Sequence, residues 1–337
     1  MTSEIPLDHT VFHEILLREA HKLVTAYDFS SDIEVSVLVQ GENTSLLVDD
    51  RGRGKKYVLR ISSHRLIYHN GPSIASEVMW LRALRRDSDI EVPDPIPDRQ
   101  GRFVQTLEGS DLDRPRCAVM FSFLNGVEPN PDTLMADFAQ LGEITARMHR
   151  HAQSWILPAE FARHSWTPDS IFTDQVSWGH WEEGMDVDAD ARAILGRMAD
   201  VVARRLSRLP RDKERFGLIH ADLRLANILV EGDRAKVIDF DDCGSSYYLY
   251  DLATALSLLQ ERPDAPELTA TWLDGYRRVA SIPPDIEAAI PSFNMLRRLA
   301  EVAWFGRCRG IEFFDENGPA HTAATIQLAD DYLTKYA

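Results

Sequence analysis

Two short apolar segments that end in charged loops constrain this chain more than any other feature of its sequence. The first reads Leu218-Ile219-His220-Ala221-Asp222-Leu223-Arg224-Leu225-Ala226-Asn227, and the second, shortly after it, Val237-Ile238-Asp239-Phe240-Asp241. Runs this brief, joined by turns such as Glu231-Gly232-Asp233, predict strands at Gly217 to Asp222, Ile228 to Val230 and Val237 to Phe240, with polar residues exposed at their ends. Phosphoryl transfer from ATP needs groups of this kind. Asp222 can orient an attacking hydroxyl and accept its proton, Asn227 can offer a metal its amide oxygen, and Asp239 can bridge metal ions to phosphates. A lone His-x-Asp often only caps a turn. His220, Asp222, Asn227 and Asp239 together, in a strand, turn, strand setting, have the spacing of a catalytic loop followed by a metal-binding strand.

The segments around this pair fall into two kinds. Val11, Phe12, Ile15, Leu16, Leu23 and Val24 recur at helical spacing, so the chain opens with an amphipathic helix ending near Tyr27. Ile33 to Val39, Ser45 to Asp49, Tyr57 to Ile61, Arg102 to Leu107 and Cys117 to Phe123 are then rich in strand formers, which predicts one antiparallel sheet. A helix from Ile74 to Arg86, closed by the Pro-rich stretch Pro93 to Pro97, packs on it. Beyond Asn125-Gly126 the pattern turns helical. Leu134, Phe138, Leu141, Thr145 and Met148 form one stripe after the start signal Pro131-Asp132. Further helical patterns run from Tyr250 to Leu259, Leu268 to Val279, Ile286 to Cys308 and Ala323 to Tyr336.

His220-Ala221-Asp222-Leu223 with Asn227, and Ile238-Asp239-Phe240-Asp241, resemble the two most specific motifs of the aminoglycoside phosphotransferase and choline kinase family. That family includes type II homoserine kinases and shares the protein-kinase fold. The resemblance spans the chain from about Ile33 to Leu259. It implies an α+β, protein-kinase-like, two-lobed fold: a small antiparallel-sheet N-terminal lobe over residues 1–124, which binds nucleotide, and a mainly helical C-terminal lobe over 125–337, with the catalytic loop and acceptor site. It implies an ATP site between the lobes and Mg²⁺ as the metal, with Asp222 catalytic and Asn227 and Asp239 as metal ligands.

The resemblance also orders the upstream segments. Val39-Gln40-Gly41-Glu42-Asn43-Thr44 is similar to the loop that covers the nucleotide phosphates, which makes Gly41 and Asn43 nucleotide contacts; by itself it reads as a hairpin turn. Tyr57-Val58-Leu59-Arg60-Ile61 resembles the strand that carries the phosphate-binding cation, with Arg60 where protein kinases have Lys. The alternative is an exposed edge-strand charge. Glu77 on the next helix would pair with Arg60, or else belong to a solvated face. Val119 to Leu124 would join the lobes and hold the adenine, with Met120, Ser122 and Phe123 as contacts. No Gly-x-x-x-x-Gly-Lys-Ser/Thr motif occurs. His149 and His151 read as helix C-terminal caps. Asp251 resembles a residue that buttresses the catalytic loop or caps a helix. The helical lobe of the family holds the acceptor, so Trp178, Trp181, Arg297, Glu301 and Trp304 are candidate acceptor residues, with Asp241 as an acceptor or metal ligand.

The charge balance, 37 Lys and Arg against 53 Asp and Glu, gives −16 and disfavours nucleic acid and anionic membranes. Cys117, Cys243 and Cys308 have no partner at metal-ligand spacing and read as free thiols in a reducing compartment. With neither a leader-like start nor a long apolar run, a cytoplasmic location without a membrane span is expected. The short stretch from Asp239 to Tyr250 leaves little room for a peptide-docking segment, which favours a small alcohol, such as an aminoglycoside, choline or homoserine, as partner beside ATP. A protein Ser/Thr kinase and a catalytically silent nucleotide-binding regulator are the other two readings, and the sequence leaves the oligomeric state open.

Overall fold

Along β2 (Thr44–Asp50) every second residue is buried, Leu46 and Val48 completely, which is the period of a strand with one face on a core. The computed structural model describes residues 9–41, 43–63, 70–109, 112, 114–129, 134–172, 178–232 and 234–337, with the backbone alone for 9–13 and 40. The chain forms two units. The first takes residues up to Arg86, Val92–Asn125 and Pro158–Ala162; the second takes Asp87–Glu91, Gly126–Leu157 and Arg163–Ala337.

In the first unit β1 (Ile33–Gln40), β2, β3 (Lys55–Ile61), β6 (Arg116–Ser122) and β4 (Pro95–Ile96) lie side by side in that order, all antiparallel, and β5 (Val104–Leu107) also pairs with β6. The register sets Leu46 opposite Leu59 and Leu59 opposite Met120. These residues join Leu16, Ala20 and Val24 of α1 (His9–Val24) in one apolar cluster. Residues one position along, Arg60, Val119 and Phe121, therefore turn to the opposite face, where Arg60 meets Glu77 of α2 (Gly71–Asp87). Five strands are expected from the sequence; the sixth, β4, arises inside the Pro-rich stretch. It stays two residues long because proline lacks the N–H that a ladder needs.

The second unit is mainly helical. Its α3 (Leu134–Ser154) and α7 (Ala265–Arg277) approach through glycines: a Cβ on Gly142 would stand 2.0 Å from the Trp272 carbonyl oxygen, and one on Gly275 1.9 Å from that of Ala139. The start signal Pro131-Asp132 lies outside the described residues. α9 (Ile290–Arg307) is buried on nearly every side, Arg297, Arg298 and Glu301 included, and is the central helix. Around it pack α5 (Ala189–Leu206), α6 (Tyr250–Ala255), α10 (Glu312–Tyr336) and the single turn Trp181–Glu183. The short helices α4 (Pro168–Ile171) and α8 (Pro284–Glu287) complete the unit. The helix expected from Ile286 to Cys308 is divided into α8 and α9, because Pro291 in the first turn of α9 has no N–H to continue an earlier helix. No described helix is long and apolar enough to cross a membrane.

Two small antiparallel pairs present the polar loops: β7 (Phe216–Ile219) with β10 (Gly244–Tyr247), and β8 (Ile228–Glu231) with β9 (Arg234–Val237). The expected strand from Val237 to Phe240 is corrected. Val237 pairs with Ile228, the first residue of β8, and the preceding Leu225–Asn227 is a 3₁₀ turn, so the ladder stops there. The Ile238 N–H makes one further bond to the Asn227 carbonyl at 3.0 Å, and the chain then turns at Asp239 with φ 65°.

Candidate active site

Ala221 takes a left-handed conformation, φ 65°, that a residue with a Cβ adopts only when its surroundings hold it there. The holder on one side is Asp251, fully buried in the first turn of α6. Its carboxylate accepts from the backbone N–H of Ala221 at 2.7 Å, from that of His220 at 3.2 Å and from the His149 ring at 2.9 Å. His149 bonds the Tyr276 hydroxyl through its other nitrogen at 3.0 Å. The expectation that His149 caps α3 is therefore corrected: the helix runs on to Ser154, and the ring is a buried strut behind the catalytic loop. His151 is also buried, 3.6 Å from Asp87.

The next turn fixes Asp222 and Asn227 together. The Asn227 amide nitrogen donates to the Asp222 backbone carbonyl at 2.8 Å and to Asp222 Oδ2 at 2.9 Å, which turns the amide oxygen away from Asp222. Arg224 Nε lies 3.5 Å from Asp222 Oδ2. His220 accepts from the Asp222 N–H at 3.3 Å and meets the Ile238 carbonyl at 3.1 Å, so its hydrogen sits on Nε2 and the two polar loops are tied to each other. Its ring packs on Phe240 at 4.5 Å.

Beyond Asp239 three successive backbone carbonyls are held by side chains from a distant segment. Arg163 donates to those of Asp241 and Cys243, and the Trp166 ring nitrogen to that of Asp242 at 2.8 Å. The Asp241 side chain is itself buried.

On the other side of the catalytic loop stands Arg297. Its Nη2 donates to Asp222 Oδ1 at 2.8 Å, Nη1 to the Ala221 carbonyl at 3.3 Å, and Nε to the Ser257 hydroxyl at 2.8 Å and Glu301 Oε1 at 3.2 Å. The guanidinium also lies 4.6 Å over the Trp178 ring. Burial opposes its charge, but Asp222, Tyr250, Glu301 and Asp242 outweigh burial and raise its pKa further. Burial, partly offset by Arg297, raises that of the Tyr250 hydroxyl. Trp178 contacts Trp166 edge-on at 5.2 Å and Trp304 at 5.6 Å, and Trp304 contacts Phe314 at 4.7 Å. Trp181 points elsewhere, toward Gly196 of α5, in the core.

In the first unit, Arg60 and Glu77 form a bidentate ion pair, 2.8 and 2.6 Å, with Arg60 6% exposed on an interior strand, which removes the edge-strand alternative. Gly41 bonds the Asn43 carbonyl across the β1–β2 turn, and the Asn43 side chain accepts from the Ser63 N–H, both at 3.0 Å; Glu42 lies outside the described residues. Met120, also expected to contact nucleotide, lies on the face of β6 turned to α1. Its side chain is wholly buried in the cluster with α1, and strand alternation puts Phe121, 5.3 Å under Arg60, on the Glu77 side. The N–H groups of Ser122 and Phe123 are spent on the carbonyls of Asp94 and Lys56, at 2.8 and 3.2 Å.

A family model described as the phosphotransferase enzyme family matches residues 37–288. The chain belongs to this family. It is 26% identical over 301 residues to the amicoumacin kinase of Bacillus subtilis (strain 168), covering 86% of this chain and 84% of that one. It is 27% identical over 292 residues to a homoserine kinase of Rhodopseudomonas palustris (strain ATCC BAA-98 / CGA009), 83% and 81% of the two chains. Among solved structures, a microcompartment-associated aminopropanol kinase superposes with a TM-score of 0.85 at 38% identity, over 94% and 97% of the two chains. The fold is the protein-kinase-like one expected, and the protein is an ATP-dependent kinase that phosphorylates an alcohol group of a small molecule.

Four residues that contact the candidate site residues or their backbone are not among those the sequence singles out: Arg163, Trp166, Asp242 and Phe314. Asp242 had a usable signal, since it extends the acidic run of Asp239 and Asp241. Among the described residues no three His, Cys, Asp or Glu side chains group to hold a metal ion. The donor set of Asn227 and Asp239 still fits a hard cation bound jointly with phosphate oxygens and water, because the amide nitrogen is committed to Asp222 and only its oxygen remains for a cation.

Proposed function

We propose that the kinase transfers the γ-phosphate of ATP to an alcohol that also carries an ammonium group. The observation that carries this reading is the charge around Asp222: three carboxylates, Asp222, Glu301 and Asp242, act on Arg297, and with Arg224 at 3.5 Å from Asp222 as the second guanidinium they remain one negative charge in excess. An excess of buried negative charge favours a cationic ligand. Arg297 is already paired twice, so an acceptor bearing a carboxylate gains less from it than a simple amino alcohol does. Trp304 and Phe314 offer apolar walls beside that charge.

In this mechanism Asp222 orients the acceptor hydroxyl. The acceptor oxygen bonds to the γ-phosphorus as the bond to the departing ADP oxygen breaks, and the hydroxyl proton passes to Asp222. Asn227, through its amide oxygen, and Asp239 would hold Mg²⁺, which would supply positive charge to the phosphates. Arg60, steadied by Glu77, would be the first unit's phosphate-binding cation, with Gly41 and Asn43 as its further nucleotide contacts.

The test is ATP consumption with Mg²⁺ over a panel of amino alcohols, aminoglycosides, homoserine, choline, neutral sugars and nucleosides. Turnover is expected with primary amino alcohols, lower with homoserine, and absent with neutral sugars and nucleosides. A neutral polyol turned over faster than every amine would overturn the cationic-acceptor reading.

A further inference from the structure

We infer that Arg297 is a positioning residue for phosphoryl transfer, acting through Asp222 rather than by binding the acceptor. The inference rests on the reading of Asp222 as the base. Among the described residues each Asp222 carboxylate oxygen has one hydrogen-bond donor, Arg297 on Oδ1 at 2.8 Å and Asn227 on Oδ2 at 2.9 Å, with Arg224 Nε at 3.5 Å from Oδ2 without a hydrogen bond. Two donors on two oxygens stop the carboxylate rotating and leave a lone pair on each oxygen for the acceptor hydroxyl. Arg297 also bonds the carbonyl of Ala221, the residue held at φ 65° just before Asp222. The strained peptide is thus gripped from opposite sides, its N–H by Asp251 and its carbonyl by Arg297.

The guanidinium is itself fixed. Ser257 and Glu301 share its Nε, and Trp178 covers one face, so Trp178 does not offer that face to a ligand cation. Its charge further offsets the repulsion among Asp222, Glu301 and Asp242, which would otherwise push the base away from its working position. Lys cannot replace it, because an ammonium carries three hydrogens on one nitrogen, whereas Arg297 reaches Asp222, the Ala221 carbonyl, Ser257 and Glu301 from three separate nitrogens.

The experiment measures steady-state kinetics of Arg297→Ala, Arg297→Lys and Ser257→Ala with the best amino alcohol of the panel, after circular dichroism has confirmed folding. Misplacing the base predicts a fall in kcat of about 10²-fold for Arg297→Ala, with KM for ATP unchanged and little recovery in Arg297→Lys. Guanidinium chloride in the millimolar range should restore kcat of Arg297→Ala at least several-fold, and equimolar sodium chloride should not. A near-normal kcat, a loss that falls on KM for ATP, or a loss insensitive to guanidinium would each overturn the positioning role. Should Arg297→Ala not fold, Ser257→Ala carries the test: a several-fold fall in kcat is expected, and a normal kcat overturns the inference. Asp222→Ala, run alongside, separates the two ideas. Turnover surviving that change removes the base itself; its loss together with normal turnover in Arg297→Ala removes only the role of Arg297.

Discussion

Arg60 gives both ends of its fork to Glu77, and neither side chain reaches solvent to any extent. Removing one member of such a buried pair strands the other charge at a cost of about 3–5 kcal/mol, so Arg60→Ala would confuse unfolding with lost ATP binding. Arg60→Lys is the sharper probe, since it keeps the charge and gives up the fork. We expect KM for ATP to rise about tenfold, the worth of one charged hydrogen bond, and KM for the acceptor to stay put. Equal rises in both constants would remove Arg60 from the phosphates. At this scale Asp222, Asn227 and Asp239 could be proposed from the sequence because phosphoryl-transfer chemistry dictates both residue type and offset. Arg163 could not: it reaches Asp241 and Cys243 across 78 and 80 residues, and contact at such separation leaves no spacing to detect. The face on which Met120 lies was illegible for a different reason. The apolar run Val119 to Leu124 marks a buried strand without saying which alternate residues face Arg60.

Elements were legible in proportion to their period. The helices α2 and α3 announce themselves by apolar residues at helical spacing and β1 to β3 by runs of strand formers, although burial alternates regularly only in β2, whereas β4 and β10 are too short to carry a pattern, and the end of β9 depends on where its partner starts. The segment after Asp239 shows how a stretch without a period is held. Its carbonyls at 241, 242 and 243 are bound by Arg163 and Trp166, and the acceptors are backbone atoms. Its order should therefore not depend on the Asp241 side chain. In hydrogen exchange, amides 241–243 are expected to keep their protection in Asp241→Gly and to lose it in Arg163→Ala. The reverse pattern would show that the side chain at 241, and not the clamp, holds the segment.

For the molecule as a whole, the buried charges of the second unit make folding depend on pH through a residue that has no direct contact with Asp222 and is linked to it by way of Glu301 and Arg297. Burial pushes the His321 imidazole down to about 3, with the Arg298 charge acting in the same sense. Glu261 pulls the other way without reversing the shift, and Glu301, 3.4 Å from the His321 Nε2, is itself paired with Arg297, whose charge also lowers the imidazole pKa. In the unfolded chain this ring takes up a proton near its ordinary pKa of about 6.5; in the folded protein it does not. The unfolded state therefore binds more protons between these two values, so stability is lost as pH falls below about 6.5, and the loss continues down to the folded value. Between pH 7 and pH 5 the expected contribution is about 2 kcal/mol, in a range where most carboxylates have yet to titrate. His321→Gln cannot take up that proton in either state. Urea midpoints measured at pH 7, 6 and 5 should accordingly fall less steeply for His321→Gln than for the unaltered protein, whatever the substitution costs at pH 7. Parallel slopes for the two proteins would mean that the buried imidazole is not the group that makes this fold sensitive to mild acid.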